Sequence, residues 1–210
     1  MSARTIVKVC GITRVEDARA AVDAGADWLG VVLKGESPRR IDGERARAIS
    51  AALDGATIVA VLVSPTPDEA LALATRAGAA RVQLHRVDAI GWPADFPLPA
   101  TFAVPVAADG SLTEPLPPER WTAMLDTSDA RRAGGTGRPF PWETARVVAA
   151  TRPVLLAGGL DADNVAAAVE TVRPFGVDAS SRLESAPGIK DAERVRRFVA
   201  AVRACDERLG

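Results

Sequence analysis

The sequence predicts an α/β fold, a single (β/α)8 barrel of eight parallel strands spanning residues 1–210, and three observations carry that prediction. Short β-branched runs alternate with amphipathic helical stretches from end to end. Eight such units share 210 residues with no long linker, close to the lower size limit of a barrel of this kind. The residues that close the strands are unusually polar, as they are where a barrel builds its site. A doubly wound sheet is the competing architecture.

The expected strands lie near Thr5–Cys10, Trp28–Leu33, Ile58–Val63, Ala80–Leu84, Thr101–Val106, Trp121–Asp126, Pro153–Ala157 and Gly176–Ala179. Each is a short apolar run of the sort buried on both faces in a parallel sheet. Helical periodicity covers Val15–Ala24, Gly43–Leu53, Pro67–Ala77, Trp142–Ala150, Ala162–Thr171 and Asp191–Cys205. Thr13 with Glu16 has the spacing of a capping box, Pro67-Asp68-Glu69 and the Asp161/Asn164 pair are helix-start chemistry, and Gly25, Gly55 and Gly78 stand where helices stop. The fourth helix should be short, because Gly91, Pro93, Pro97 and Pro99 punctuate its segment. The fifth should be replaced by a loop, since the stretch between Val106 and Trp121 holds three prolines in Glu114–Pro118 and no helical period.

Composition narrows the function classes. Lys plus Arg number 26 against 27 Asp plus Glu, a formal charge of -1, which argues against nucleic-acid binding. No apolar run reaches membrane-spanning length and no signal-peptide core is present at the N-terminus. The two cysteines, Cys10 and Cys205, have neither metal-ligand nor disulfide-framework spacing, so the expected compartment is the reducing cytoplasm. Nothing decides between a monomer and a homodimer.

At the strand ends, Cys10 sets a thiol at the C-terminal tip of the first strand, where it is either a small buried hydrophobe or a reactive group. Lys8 shares its face by strand alternation. Asp126 follows Ala123-Met124-Leu125, so its carboxyl emerges from an apolar strand, a setting that suits a general acid. A thiolate base and a carboxylic acid across one barrel mouth would serve an isomerisation, in which one proton leaves carbon as another reaches oxygen. Three loops suit an anion: Gly134-Gly135-Thr136-Gly137, Gly158-Gly159 and Ser180-Ser181, the last two following strands seven and eight. Arg39 and Arg40 offer guanidinium forks for a carboxylate, and His85, the one histidine, closes the fourth strand.

The ordered set K-V-C-G-I-T, S-P-R, V-Q-L-H, L-D with G-G-T-G-R-x-F-x-W, L-A-G-G-L-x-x-x-N-V and R-P-x-G-V-D-x-S-S resembles the phosphoribosylanthranilate isomerase family of tryptophan biosynthesis, from Lys8 to Asp191. The resemblance implies a barrel enzyme that performs an Amadori rearrangement on a phosphorylated aminosugar, without metal or organic cofactor. It implies Cys10 as general base and Asp126 as general acid, Arg39, His85 and Asp178 near the substrate, and Gly135, Gly158, Gly159, Ser180 and Ser181 around its phosphate. Three positions depart from the family pattern. Arg86 follows V-Q-L-H and Arg182 follows S-S where glycine is usual, and Leu33-Lys34-Gly35-Glu36 replaces a Phe-containing stretch. Arg182 would remodel its turn or substitute a guanidinium for amide contacts. These departures leave two alternatives open, a related barrel isomerase for another phosphoribosylamine or ketose phosphate, and a non-catalytic phosphosugar-binding paralogue.

Overall fold

The structure, a computed structural model, describes residues 4–53, 56–126 and 142–210. Strand β1 (Ile6–Cys10) pairs in parallel with β2 (Trp28–Lys34), Lys8 opposite Trp28, and with β8 (Gly176–Ala179), Lys8 opposite Asp178. The intervening strands are β3 (Thr57–Val63), β4 (Arg81–His85), β5 (Ala100–Pro105), β6 (Thr122–Asp126) and β7 (Val154–Leu156), and each pairs with its neighbours in chain order. The eight therefore close into a parallel barrel with no free edge. A doubly wound sheet is ruled out by that closure.

Period-two alternation sends successive side chains to opposite faces of the wall. Val7, Val9, Val31 and Leu62 share one core with Ala18, Ile49, Ala74 and Phe198 of the surrounding helices. Their alternates face the barrel axis: Cys10, Val32 and Val61 form a separate cluster, and Ala103, Met124, Leu155 and Ala157 another. This outward apolar seam is what holds the helices on. It also leaves the axis as the place where Lys8, Gln83 and Asp178 are buried without entering the helix-packing layer.

Helix starts show where local chemistry decides and where it does not. At α3 (Pro67–Ala77) the capping box is complete, with Thr66 accepting from the Glu69 amide and Glu69 accepting from the Thr66 amide, and Gly78 ends the helix at φ 67°. The box expected at Thr13 and Glu16 is not formed. The cap of α1 (Val15–Asp23) is Arg14 with no side-chain hydrogen bond, because the Thr13 hydroxyl donates instead to the Gly188 carbonyl at 2.6 Å. The hairpin of β9 (Glu184–Ala186) and β10 (Ile189–Lys190) thus takes the group a helix cap would have used.

Helix α2 (Gly43–Ala51) is capped by Asp42. No helix lies between β4 and β5, where a short one was expected; residues 86–99 cross the wall as turns. Prolines remove the donors a helix needs, and edge-to-face contacts of Trp92 with Phe96 and Phe102, at centroid distances of 5.3 and 5.9 Å, fill the gap. The segment between Val106 and Trp121 is also without helix. There the Pro117, Pro118 and Trp121 carbonyls accept from the Arg152 guanidinium.

Beyond β6 come α4 (Trp142–Ala149), α5 (Val165–Val172) and α6 (Ala192–Leu209). Helix α5 begins at Val165 rather than Ala162, since Asn164 accepts from the Asp161 amide and donates to the Gly159 carbonyl. The start-type residues there tie down a strand-end loop before the helix opens. Helix α6, capped by Asp191, runs past the expected Cys205 to Leu209. Among the described residues no helix is long and apolar enough to cross a membrane.

Candidate active site

The C-terminal ends of the strands form the mouth of the barrel, and the structure brings four of the expected residues to it: Cys10 on β1, His85 on β4, Asp126 on β6 and Asp178 on β8. The Asp178 carboxyl interacts electrostatically with both Asp126 and His85. Beneath the mouth lies an ion pair that joins β1 to β8. Lys8 Nζ donates to Asp178 Oδ1 at 2.9 Å, and the two side chains are 0% and 8% exposed.

Gly30 of β2 explains how this cluster fits. A Cβ on Gly30 would stand 2.7 Å from Cys10 Sγ and 2.9 Å from Lys8 Nζ, so the missing side chain is the space the thiol and ammonium occupy together. Burial alone would lower the Lys8 pKa; Asp178 and Cys10 outweigh it and hold the ammonium above its ordinary value. Burial pushes the Cys10 thiol up, with Lys8 opposing, and pushes the Asp178 carboxyl up as well, against the same ammonium. Lys8 raised favours a charged pair while Asp178 raised weakens it. The pair is charged at neutral pH, because the 2.9 Å contact gives the carboxylate a direct counter-charge.

A second cluster borders the first. Arg39 donates through Nε and Nη2 to both Glu184 oxygens at 2.7 and 2.6 Å, and Lys190 Nζ donates to Glu184 Oε1 at 2.9 Å. Burial would raise the Glu184 pKa, but these two cations bring it below its ordinary value. Lys190 also donates to the Ser180 carbonyl, and the Ser180 hydroxyl donates to the Cys10 carbonyl at 3.0 Å, tying the loop after β8 to the tip of β1.

Of the three anion-suited loops, Gly135 falls outside the described residues. Gly158 and Gly159 take φ values of 97° and 67°, which aim their amides as no other residue readily would, and a Cβ at Gly159 would meet nothing within 4 Å. Ser181 opens a 3-10 turn, Ser181–Leu183, facing that loop. The Arg182 guanidinium lies 3.7 Å from Asp161, which links the loops after the neighbouring strands β7 and β8.

The family model described as N-(5'phosphoribosyl)anthranilate (PRA) isomerase matches residues 7–201 of this chain. The chain belongs to the N-(5'-phosphoribosyl)anthranilate isomerase family. A relative of that name from Rubrobacter xylanophilus is 44% identical over 203 residues, covering 94% of this chain and 98% of its own. Among solved structures, the phosphoribosyl anthranilate isomerase from Thermotoga maritima superposes with a TM-score of 0.83 at 33% identity, over 95% of this chain and 99% of that one. Another such isomerase, crystallised with reduced 1-(o-carboxyphenylamino)-1-deoxyribulose 5-phosphate, superposes with a TM-score of 0.81 at 32% identity, over 95% and 99%.

Against the isomerase family pattern, the two arginine departures differ in kind. Arg86 sits at φ 54°, a left-handed conformation that glycine adopts without strain, and the Ser64 hydroxyl holds it by donating to its carbonyl at 3.2 Å. Arg182 is not a positive-φ position; it occupies the short 3-10 turn with a half-exposed side chain. Lys34, from the stretch that replaces the Phe-containing one, bridges Glu69 and the Ser64 carbonyl at 2.7 and 3.1 Å. It joins Gly35, Ser37, His85 and Arg86 in lining a cleft of about 770 Å³ beside the mouth.

A cavity of about 640 Å³ opens at the other end of the barrel, among Arg4, Arg152, Phe175 and Arg203. It holds no thiol, and Arg4 and Arg203 there pair with Asp27. Glu184, Lys190 and Gly30 carried no sequence signal beyond residue type. A glycine inside a strand run was the one hint of a close approach.

His85 yields a direct prediction. Burial, then the charge of Lys8, lowers its pKa from 6.5 to about 4, so the ring is neutral at pH 7, and its Nε2 lies 2.9 Å from Gln83 Nε2. Because the chain has one histidine, NMR of tag-free protein should show a single ring titration near pH 4 rather than 6.5. The unfolded state binds the extra proton in that window, so this group's contribution to stability is present above pH 6.5 and is lost as pH falls towards 4. A titration near 6.5 in the folded protein would contradict the buried placement.

Proposed function

We propose that this chain converts N-(5-phosphoribosyl)anthranilate to 1-(2-carboxyphenylamino)-1-deoxyribulose 5-phosphate, the aldose-ketose isomerisation of tryptophan biosynthesis. Membership of the family supports the reaction, and the observation that carries it to this chain is Cys10 and Asp126 closing β1 and β6 of one barrel, at the same mouth. Asp126 protonates the furanose ring oxygen, and the ring opens to an iminium ion. The iminium acidifies the C2 hydrogen, Cys10 removes it, and the enolamine tautomerises to the ketone.

The phosphate is held by backbone amides at Gly158, Gly159 and Ser181, with Ser180 beside them; Gly135, expected at the same phosphate, lies outside the described residues. Ser180 contributes through its backbone in this reading, since its hydroxyl donates to Cys10. Arg39 meets the substrate carboxylate with the Nη1–Nη2 edge left beyond Glu184, which fixes the fork's direction. Asp178 and His85 contact the opened sugar. The chain works as one domain over residues 1–210, as a monomer or homodimer in the cytoplasm, and needs no metal or organic cofactor.

Phosphoribosylanthranilate fluoresces, so the test is the decay of that fluorescence on adding purified protein. Absence of turnover overturns the reading. A second reading, a different phosphoribosylamine of the same chemistry, is favoured by Arg86 at φ 54° beside the cleft, which adds a cation where the family usually has glycine. Turnover of another aminoaldose phosphate in place of phosphoribosylanthranilate would select it.

A further inference from the structure

We propose that Lys8 is a positioning residue for the Cys10 base: its buried ammonium, pinned by Asp178 and seated against the thiol in the space left by Gly30, stabilises the thiolate that takes the substrate's C2 proton. This rests on the reading of Cys10 as the base. The geometry carries it. Lys8 lies two residues before Cys10 on one strand, so both side chains face the barrel axis. The Lys8 side chain is fully buried with its ammonium 2.9 Å from Asp178, and the space at Gly30 is closed by Sγ and Nζ alike.

A buried thiol has a chemical difficulty as a base. It is inert until its proton leaves, and burial opposes that loss. In the free protein the thiol proton passes to water, to which Cys10 is 8% exposed, and the Lys8 ammonium then stands as counter-ion to the thiolate. When substrate follows, the C2–H bond breaks, its proton goes to sulfur, and the bonding pair moves into the iminium to give the enolamine. Net charge at sulfur rises from -1 to 0 while Lys8 keeps its own proton throughout.

Other charges face the same sulfur, and each has a sign. Lys190 from β10 lowers the thiol pKa, Asp178 from β8 raises it, and Arg39 interacts favourably with the thiolate from the loop after β2. Arg39 and Lys190 are both bound to Glu184, which neutralises part of their field. Asp178 similarly tempers Lys8. The position of Lys8 differs in that its ammonium shares with the sulfur the space left by Gly30, and of the charges around the thiol it lowers the pKa most.

The experiment is the pH dependence of Cys10 alkylation by iodoacetamide, read by mass spectrometry without substrate, on a Cys205→Ala background so that one thiol remains. Lys8→Met should move the alkylation midpoint up by about 1–3 pH units, Asp178→Asn should move it down, and Lys8→Arg should restore part of the loss. Because Lys8→Met strands the Asp178 carboxylate and can fail to fold, Lys8→Met/Asp178→Asn supplies the same comparison without a lone charge; its midpoint should lie above that of Asp178→Asn. A role in packing alone predicts no opposite shifts. An unchanged midpoint in either folded Lys8→Met variant, or an upward shift in Asp178→Asn, overturns the proposal. Since the readout is ionisation and not turnover, the expected shifts in a protein that fails to isomerise phosphoribosylanthranilate would sink the function proposed above and the C2 proton transfer with it, and leave standing only the stabilisation of the Cys10 thiolate by Lys8.

Discussion

Cys10→Ala is expected to lower kcat by about 100- to 10,000-fold, the usual contribution of a positioned general base, with KM changed little. The methyl of alanine fits where the thiol does, since Cys10 packs against Val32 and Val61, so the fold should survive and the loss should lie in chemistry. Asp126→Asn should cost a similar factor, because the amide keeps the shape but cannot protonate the ring oxygen. Combining the two should cost far less than the product of the separate losses, as groups that act in one sequence of proton transfers are not additive. Steady-state fluorescence kinetics over a range of substrate concentrations decide the matter. Cys10→Ala with kcat within a few-fold of the wild type would remove Cys10 from the mechanism.

Asp178→Ala should destabilise the protein by about 3–5 kcal/mol, because it leaves the Lys8 ammonium buried with its ion-pair partner gone. For a chain of this length that is a fall in Tm of roughly 6–20 °C. Lys8→Met/Asp178→Leu should recover most of the loss, since replacing both partners by apolar groups removes the stranded charge. Thermal and urea unfolding measure both. If Asp178→Ala unfolded within 1 °C or so of the wild type, on the order of a surface change, the pair would have to be hydrated and the barrel axis open to water.

Much of this architecture was legible because it is written in local periodicity. The run at Ile58–Val63 is apolar on both faces, and only a parallel strand covered by helices buries such a run. The position of Cys10 at a strand tip followed from the same pattern, as did the closure of β6 by Asp126. Local signals failed where a distant group competed for the same atom. Thr13 has the spacing of a helix cap, yet its hydroxyl goes to Gly188, 175 residues on. The fourth helix was expected from chain order, and an edge-to-face aromatic cluster took its place on the wall.

The sequence by itself determined the alternation of strands and helices, the thiol and carboxyl at strand ends, and the glycine loops after β7. These depend on period, residue type and turn chemistry, which act over a few residues. Only the tertiary structure decided that Lys8 pairs with Asp178 across the seam where the barrel closes, that Gly30 leaves room for thiol and ammonium together, and that Glu184 aims Arg39. Those facts depend on the stagger between β1, β2 and β8 and on a hairpin folded back over the mouth. Residues 170 apart in the chain meet there at 2.9 Å, a contact that barrel closure sets and local pattern does not encode.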